Sequence, residues 1–368
     1  MFAGIGGFRA GLTRAGGFQC IGHCEIDKYA EASYRAIHDI RKEERYYPDA
    51  RTIDPNDLPD FDLLCGGFPC QAFSLAGRRK GFDDARGTLF FEIARLAEAR
   101  RPSYLLLENV PGLLNHDGGR TFAAILTALS DLGYHVEWAV LNSKHFGVPQ
   151  SRRRVFLICY LDPRCAGKIL PVFGTDAKAL VQIVHGRLGK RVYDSAGIAC
   201  TQDTSRQSGL YFVDLTKDDP KITANARCLH TRQDGSLTNF KGQNSGVLYI
   251  KEATKKGYKE AHEGDSIDLG FAGSNTRRGR VFAGVAHTVD TANTHGIVLR
   301  GGRVRRLMPR ECFRLQGFNE DQIDKILAIN SDAQAYKQAG NSVTVTVIEA
   351  IGRRIRAADA KIYAQESR

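Results

Sequence analysis

Short apolar runs alternate with amphipathic stretches over the first 160 residues, and this alternation narrows the fold more than any other feature. QCIGHCE, FDLLCGGF and SYLLLENV read as buried strands, whereas EASYRAI, TLFFEIARLAEAR and RTFAAILTALSDLG carry apolar residues at helical spacing. Strands alternating with helices predict an α/β domain with a parallel sheet, because each parallel connection needs a crossover that a helix supplies. After RRRVFLICY the pattern changes to short strands rich in Gly, Thr, Asn and Asp. Helical signals return in MPRECFRLQGF, DQIDKILAI and SVTVTVIEAIGRRIRAADAKIYAQ. The expected organisation is an α/β domain at 1–162, a smaller β- and loop-rich domain at 163–305, and a segment at 306–368 that returns to the first domain.

The middle domain contains an internal echo. RVYDSAGIACTQDTSRQSGLYF resembles RVFAGVAHTVDTANTHGIVL, with Thr201 opposite Thr288. A duplication and two similar strand-loop-strand hairpins account for it equally well.

With 368 residues, 42% of them hydrophobic, the chain can bury a large core. Its net charge of +11 suits a polyanionic partner such as nucleic acid. No apolar run approaches the roughly 18 residues of a membrane helix, and MFAGIGGFRAGL lacks the pattern of a signal peptide, so a cytoplasmic location is expected. Nine scattered cysteines do not form a disulfide framework, and neither CxxC pairs nor HExxH offers a metal site.

Four stretches carry chemistry. The opening FAGIGGFRAG places Gly4, Gly6 and Gly7 in a tight turn before a helix, and Glu25 follows at about the 20-residue interval of an acid that binds ribose hydroxyls. Arg9 stands where a dinucleotide fingerprint needs its third glycine, which favours an adenosyl cofactor over a nicotinamide one. In DLLCGGFPCQAFS, Cys70 follows an apolar strand through turn residues, a position that suits a nucleophile at the carboxyl edge of the sheet. The next strand ends there in Glu108 and Asn109, where a carboxyl group can act as general acid. In QSRRRVFLI, Arg152 and Arg154 alternate toward one face and offer guanidinium forks to a carbonyl or phosphate. A solvated acid and a surface basic run are the bland alternatives.

Together FAGIGG, GFPCQAFS, ENV, QSRRRV, RRLMPRECFRLQGF and AGNSV resemble, in order and spacing, the bacterial-type DNA (cytosine-5-)-methyltransferase family. The resemblance covers nearly all of the first 160 residues and the last 60. It implies a Rossmann-like S-adenosylmethionine-dependent fold, with the middle domain as target-recognition domain. It also implies transfer of a methyl group to carbon 5 of a flipped cytosine in duplex DNA, through a Cys70 adduct at carbon 6 and with S-adenosylhomocysteine as product. Phe2, Gly4, Ile5, Gly6 and Gly7 match the cofactor-binding turn, Glu25 the ribose acid, and Ile26 and Asp49 the adenine contacts. Leu89, Asn341 and Ser342 match further cofactor-side positions. Cys70 matches the nucleophile, with Pro69 and Gln71 completing its turn, Glu108 and Asn109 the acid and its neighbour, and Arg152 and Arg154 the paired arginines.

For DNA, the expected contacts are Ser74, Arg78, Arg79, Lys80 and Arg86 in a lid-like loop, and Thr201, Arg277, Arg278, Arg280 and Thr288 in the middle domain. There, Ser274 to Arg310 carries eight arginines against the single acid Asp290. Three departures stand out. The glycine turn opens the chain, whereas the family has several first-strand residues ahead of it, which implies weaker cofactor binding or a further upstream segment. Arg153 replaces a frequent acid between the paired arginines, and Ala76 replaces a polar residue found in some relatives. The expected state is a monomer with no obligate protein partner; a restriction-modification role with a cognate endonuclease and a solitary methyltransferase are alternatives that no residue separates. Rival readings are a tRNA cytosine-5 methyltransferase, a non-catalytic DNA-binding relative, and a NAD-dependent oxidoreductase.

Overall fold

The computed structural model describes residues 1–68, 89–170, 172, 248–270, 276–292, 294–299 and 304–366, together with short strands at 210–213 and 222–223. The first helix, α1 (Gly7–Ala15), follows the glycine turn directly, and β1 (Gly22–Cys24) pairs in parallel with β2 (Arg45–Tyr47) across α2 (Lys28–Ile37). Then come β3 (Leu63–Gly67), α3 (Leu89–Arg100), β4 (Tyr104–Asn109), α4 (Arg120–Asp131), β5 (His135–Asn142) and β6 (Arg153–Tyr160). The last four strands form one sheet in the order β3-β4-β6-β5.

The expected parallel sheet needs correction. β3 and β4 run parallel, but β6 is antiparallel to both β4 and β5. The connection from β5 to β6 contains only a short 3₁₀ turn at Ser143–His145, and without a crossover helix adjacent strands must run in opposite directions. β5 itself escaped sequence reading because its half-exposed HVEWAVLN lacks a continuous apolar run.

β6 shows how the layers are built. Val155 through Tyr160 are all 2% exposed or less, so its side chains feed two cores in alternation. Phe156, Ile158 and Tyr160 join Leu106, Phe8 and Leu12 on one face, while Val155, Leu157 and Cys159 join Leu105, Leu107, Ile93 and Ile125 on the other. The first face is closed by α8 (Val345–Glu366), whose Val347, Ile348, Ile351 and Ile355 are buried there. A Cβ on Gly11 would lie 2.6 Å from Ile348 Cβ, and one on Gly352 would lie 2.9 Å from Ala15 Cβ. These glycines let α1 and α8 approach closely. Helices α5 (Pro309–Leu315), α6 (Glu320–Ile329) and α7 (Asp332–Asn341) bury Phe313, Ile323, Ile326 and Ala335 against Ile5, Ala30 and Ile37.

The remaining strands are β7 (Leu210–Val213), β8 (Ile222–Thr223), β9 (Leu248–Lys251), β10 (Tyr258–Ala261), β11 (Ser266–Asp268), β12 (Val281–Phe282), β13 (His295–Val298) and β14 (Val304–Arg306). They form sheets ordered β10-β9-β7-β8 and β12-β11-β13-β14, and Leu248, Ile250, Ile267, Val281 and Val298 share one small core. The first copy of the RV-type echo, with Thr201, lies outside the described residues except for its last three, which fall in β7, and the lid-like loop lies outside them as well.

The opening residues join the two sheet fragments of the α/β part. The Met1 amino group donates to the Cys65 carbonyl at 2.8 Å, and Ala3 N–H donates to the Cys24 carbonyl at 2.8 Å. A cavity of about 780 Å3 lies beside them, lined by Leu12, Phe18, Cys20, Leu64 and Tyr104. Gly6 of the opening turn also lines it, whereas Glu25, Glu108 and Arg154 do not.

Candidate active site

The glycine turn is shaped by backbone demands. Gly4 and Gly6 have φ of 55° and 85°, in the left-handed region where side chains cost energy. A Cβ on Gly6 would lie 2.1 Å from His38 Nε2, and one on Gly7 would lie 2.8 Å from Val343 Cγ1 and 2.9 Å from Ser342 Oγ. The turn is thus wedged between α2 and the segment that follows α7. At Gly4 a Cβ would meet nothing within 4 Å, so this side of the turn faces open space. Ile5 lies beneath it, 2% exposed, as a core residue.

Glu25 closes the same corner from the end of β1. Its Oε2 accepts from Gly4 N–H at 2.7 Å and its Oε1 from Asp27 N–H at 2.7 Å. Two backbone donors fix the carboxylate and leave lone pairs for a further donor such as a hydroxyl. Next to it Ile26 is 68% exposed, and Tyr46, whose hydroxyl donates to the Glu25 carbonyl at 3.0 Å, is also exposed. A large apolar side chain left this open beside an anchored acid suits a flat ring. Asp49 caps the following 3₁₀ turn through Arg51 N–H, and the Arg51 guanidinium holds its carboxyl down to about 2. Leu89 begins α3. Asn341 ends α7 on the surface, whereas Ser342 is buried. The site therefore fits an adenosyl ligand: open turn, fixed acid, exposed apolar face.

The second cluster lies at the carboxyl ends of β3 and β4. Glu108 is the penultimate residue of β4, and its Oε1 lies 2.9 Å from Arg154 Nε on β6. Gly67 makes room for that carboxylate, since a Cβ there would lie 2.9 Å from Glu108 Oε2. Gly66 has a different reason: its Cβ would lie 2.6 Å from the Met1 carbonyl. Burial raises the Glu108 carboxyl above its ordinary range, opposed by Arg154 and then Arg152. Burial lowers the Arg154 guanidinium, against the pull of Glu108.

Asn109 does not face this pair alone; its Nδ2 donates to the Phe68 carbonyl at 2.7 Å, and its Oδ1 accepts from Val110 N–H. It therefore ties the end of β4 to the residue that precedes Pro69 and Cys70. Pro69, Cys70, Gln71, Ser74, Arg78, Arg79, Lys80 and Arg86 lie outside the described residues. Arg153 points outward on β6 and is exposed.

Arg152 is placed differently from Arg154. It is 3% exposed, and its guanidinium donates to the carbonyls of Val289 (3.1 Å), Gly340 (2.9 Å) and Ser342 (2.9 Å). Burial, then repulsion from Arg154, brings it down to about 9, so it stays charged at neutral pH. Sequence reading missed Gln150, which is fully buried and bonds the Leu315 carbonyl and Val289 N–H. A glutamine ahead of an arginine run carries no signal that separates buried from exposed.

Among the expected DNA contacts, Arg280 is corrected. It is 2% exposed and donates to the Asp268 and Lys251 carbonyls, because it knits β9, β11 and β12 together. Arg277 pairs with Asp268 at 3.1 Å but is partly exposed, and Arg278 is exposed with Nε on the Ala253 carbonyl. Thr288 Oγ1 donates to the Ser151 carbonyl at 2.9 Å. The arginine excess from 274 to 310 is also partly neutralised by acids outside that window: Arg305 pairs with Glu311, and Arg310 with Glu320 and Asp324.

A family model for C-5 cytosine-specific DNA methylases matches residues 1–357. The chain is 31% identical to the orphan methyltransferase M.SPRI of Bacillus phage SPR, covering 96% of each. It is 34% identical to the type II methyltransferase M.HpaII of Haemophilus parainfluenzae, covering 96% of this chain and 87% of that one. It is also 30% identical to M.HhaI, a type II methyltransferase of Haemophilus parahaemolyticus, covering 96% and 92%. The solved structure of the S. pombe Dnmt2 methyltransferase superposes with a TM-score of 0.55 at 16% identity, covering 98% of this chain and 97% of that one.

Proposed function

This chain belongs to the C-5 cytosine-specific DNA methylase family, and from that premise we propose how its own residues carry out cytosine methylation. The observation that carries the reading is the buried Glu108–Arg154 pair at the carboxyl edge of the sheet, 2.9 Å apart. Carbon 5 of cytosine is a weak nucleophile until a group adds to carbon 6. Cys70, two residues beyond the anchored Phe68, makes that addition as a thiolate, forming the sulfur–carbon 6 bond. Glu108, whose hold on a proton is strengthened by burial, gives a proton to ring nitrogen 3 as electron density moves through the ring to carbon 5. Arg154 holds the carboxyl in place and offers its remaining N–H groups to the base carbonyl.

The glycine turn at Phe2 to Gly7, Glu25, Ile26, Asp49, Leu89, Asn341 and Ser342 would hold S-adenosylmethionine. When bound, it supplies an electrophilic methyl group for carbon 5. Loss of the carbon 5 proton to water then re-forms the ring double bond and expels Cys70 as a thiolate, and nitrogen 3 returns its proton to Glu108. A cytosine within a stacked duplex cannot reach these groups, so the base is flipped out, with Arg277, Arg278 and Thr288 on the recognition side. We assign the enzyme as a cytoplasmic monomer that modifies a short duplex sequence within a restriction-modification system.

The experiment is trapping on duplex DNA carrying 5-fluorocytosine, from which the carbon 5 substituent cannot leave as a proton. With S-adenosylmethionine present, a denaturant-stable protein–DNA adduct should form and should vanish in Cys70→Ala. An adduct of equal yield in Cys70→Ala would remove that residue as nucleophile.

A further inference from the structure

The four residues Pro149 to Arg152 sit where three parts of the chain meet. Ala286 N–H donates to the Pro149 carbonyl at 2.9 Å, and Ser151 N–H donates to the Ala286 carbonyl at 2.8 Å. Gln150 Oε1 accepts from Val289 N–H at 2.9 Å, while its Nε2 donates to the Leu315 carbonyl at 2.7 Å. Gln316 carries the network onward, donating to the Ala339 carbonyl at 2.7 Å and accepting from Thr344 Oγ1 at 3.0 Å. Arg152 then spans the recognition segment at Val289 and the cofactor-side segment at Gly340 and Ser342.

The two segments that Arg152 spans also touch each other. A Cβ on Gly340 would lie 2.7 Å from Asp290 C and 2.7 Å from Thr291 N. The recognition backbone therefore passes directly over the residue before Asn341, with no room for a methyl group. Two residues after Arg152, β6 presents Arg154 to Glu108.

We propose that Arg152 is a positioning residue: by bridging the carbonyls of Val289, Gly340 and Ser342, it holds the recognition and cofactor-side segments in register with the Glu108–Arg154 pair. The inference rests on the methyl-transfer reading above. A planar guanidinium serves these three carbonyls from two separated nitrogens in a fixed fork, whereas a lysine would have to gather them all on one nitrogen. Positive charge in the neighbourhood of Glu108 survives in Arg152→Lys, so that variant separates geometry from charge.

The test is single-turnover methyl transfer with enzyme, mixed-sequence duplex DNA and S-adenosylmethionine at saturation, reading rate constant and amplitude separately. Arg152→Lys should lower the rate constant about 10- to 100-fold, as small misplacements of reacting groups do, while most of the amplitude remains. Gly340→Ala, which wedges the two segments apart while leaving the Arg152 side chain itself unchanged, should lower it as well and decides the matter if Arg152→Lys does not fold. A reduced amplitude at an unchanged rate constant would mean a structural role alone and would overturn the proposal, as would unchanged values for both. No transfer by the unsubstituted chain would instead remove the methyl-transfer reading, and this inference with it.

Discussion

Arg154 Nε lies 2.9 Å from Glu108 Oε1, an ion pair between neighbouring strands at the edge where ligands approach α/β sheets. Burial pushes the Glu108 carboxyl upward, while Arg154 pulls it down. The pair therefore poises an acid that can still donate a proton above the usual carboxylate range.

The sign of the resulting pH effect follows. A raised carboxyl keeps its proton at low pH and loses it as pH rises through the folded-state value, and activity and that group's stability contribution fall together. Methyl transfer should decline on the alkaline side of this titration. Arg154→Ala removes the group that favours the carboxylate, so the declining limb should move to higher pH. Glu108→Gln should lose the limb and about 10²–10⁴ of the rate. Rate against pH for the three proteins checks this, and an unmoved limb would exclude Glu108 as the acid.

Glu25 spends both carboxylate oxygens on Gly4 and Asp27 N–H groups. Glu25→Ala leaves those donors unpaired and removes the acceptor offered to ribose. S-adenosylmethionine affinity, measured by calorimetry, should weaken about 10- to 100-fold, equivalent to roughly 1.4–2.8 kcal/mol. Turnover at saturating cofactor should change far less. Unchanged affinity would place the ribose site elsewhere.

Gly6 tolerates no side chain, because its φ is 85° and a Cβ would strike His38 Nε2. Gly6→Ala should cost at least about 2 kcal/mol in urea unfolding. Combining it with His38→Ala removes the imidazole contact but leaves Tyr34 Cε2 at 2.8 Å and about 1 kcal/mol of left-handed backbone cost, so only part of the loss should return. A neutral single substitution would contradict the described turn.

Two histidines set the acid limit. Burial pulls His38 and His287 down to about 4. Their unfolded forms protonate first, so the stability they contribute is present above about pH 6.5 and is lost as pH falls toward 4. The thermal midpoint should drop through that window, and less steeply in a His38→Gln, His287→Gln protein. Equal slopes would assign the acid loss to other groups.

How much of this was readable beforehand depended on whether the signal was local. The glycine turn, Glu25, and Glu108 at a strand end are contiguous patterns whose meaning comes from the element they terminate, and the strands and helices around them carry strong periodicity. Arg152 and Arg154 share a motif, yet Arg154 on β6 reaches Glu108, while Arg152 just ahead of the strand reaches carbonyls more than 130 residues away. Arg280 was expected among the DNA contacts, whereas its partners are backbone carbonyls, which leave no mark on composition. Gly66, Gly67 and Gly340 look alike in sequence, but each is shaped by a different long-range neighbour. The reversed β6 was hidden by β5, whose mixed burial dilutes its pattern.

The most direct test of the central claim is transfer of labelled methyl groups from S-adenosylmethionine to mixed-sequence duplex DNA and, in parallel, to tRNA, with base-resolution mapping of 5-methylcytosine. Label in duplex DNA, confined to cytosine within one short sequence, is the predicted result. Label confined to tRNA, or found in neither substrate, would contradict it.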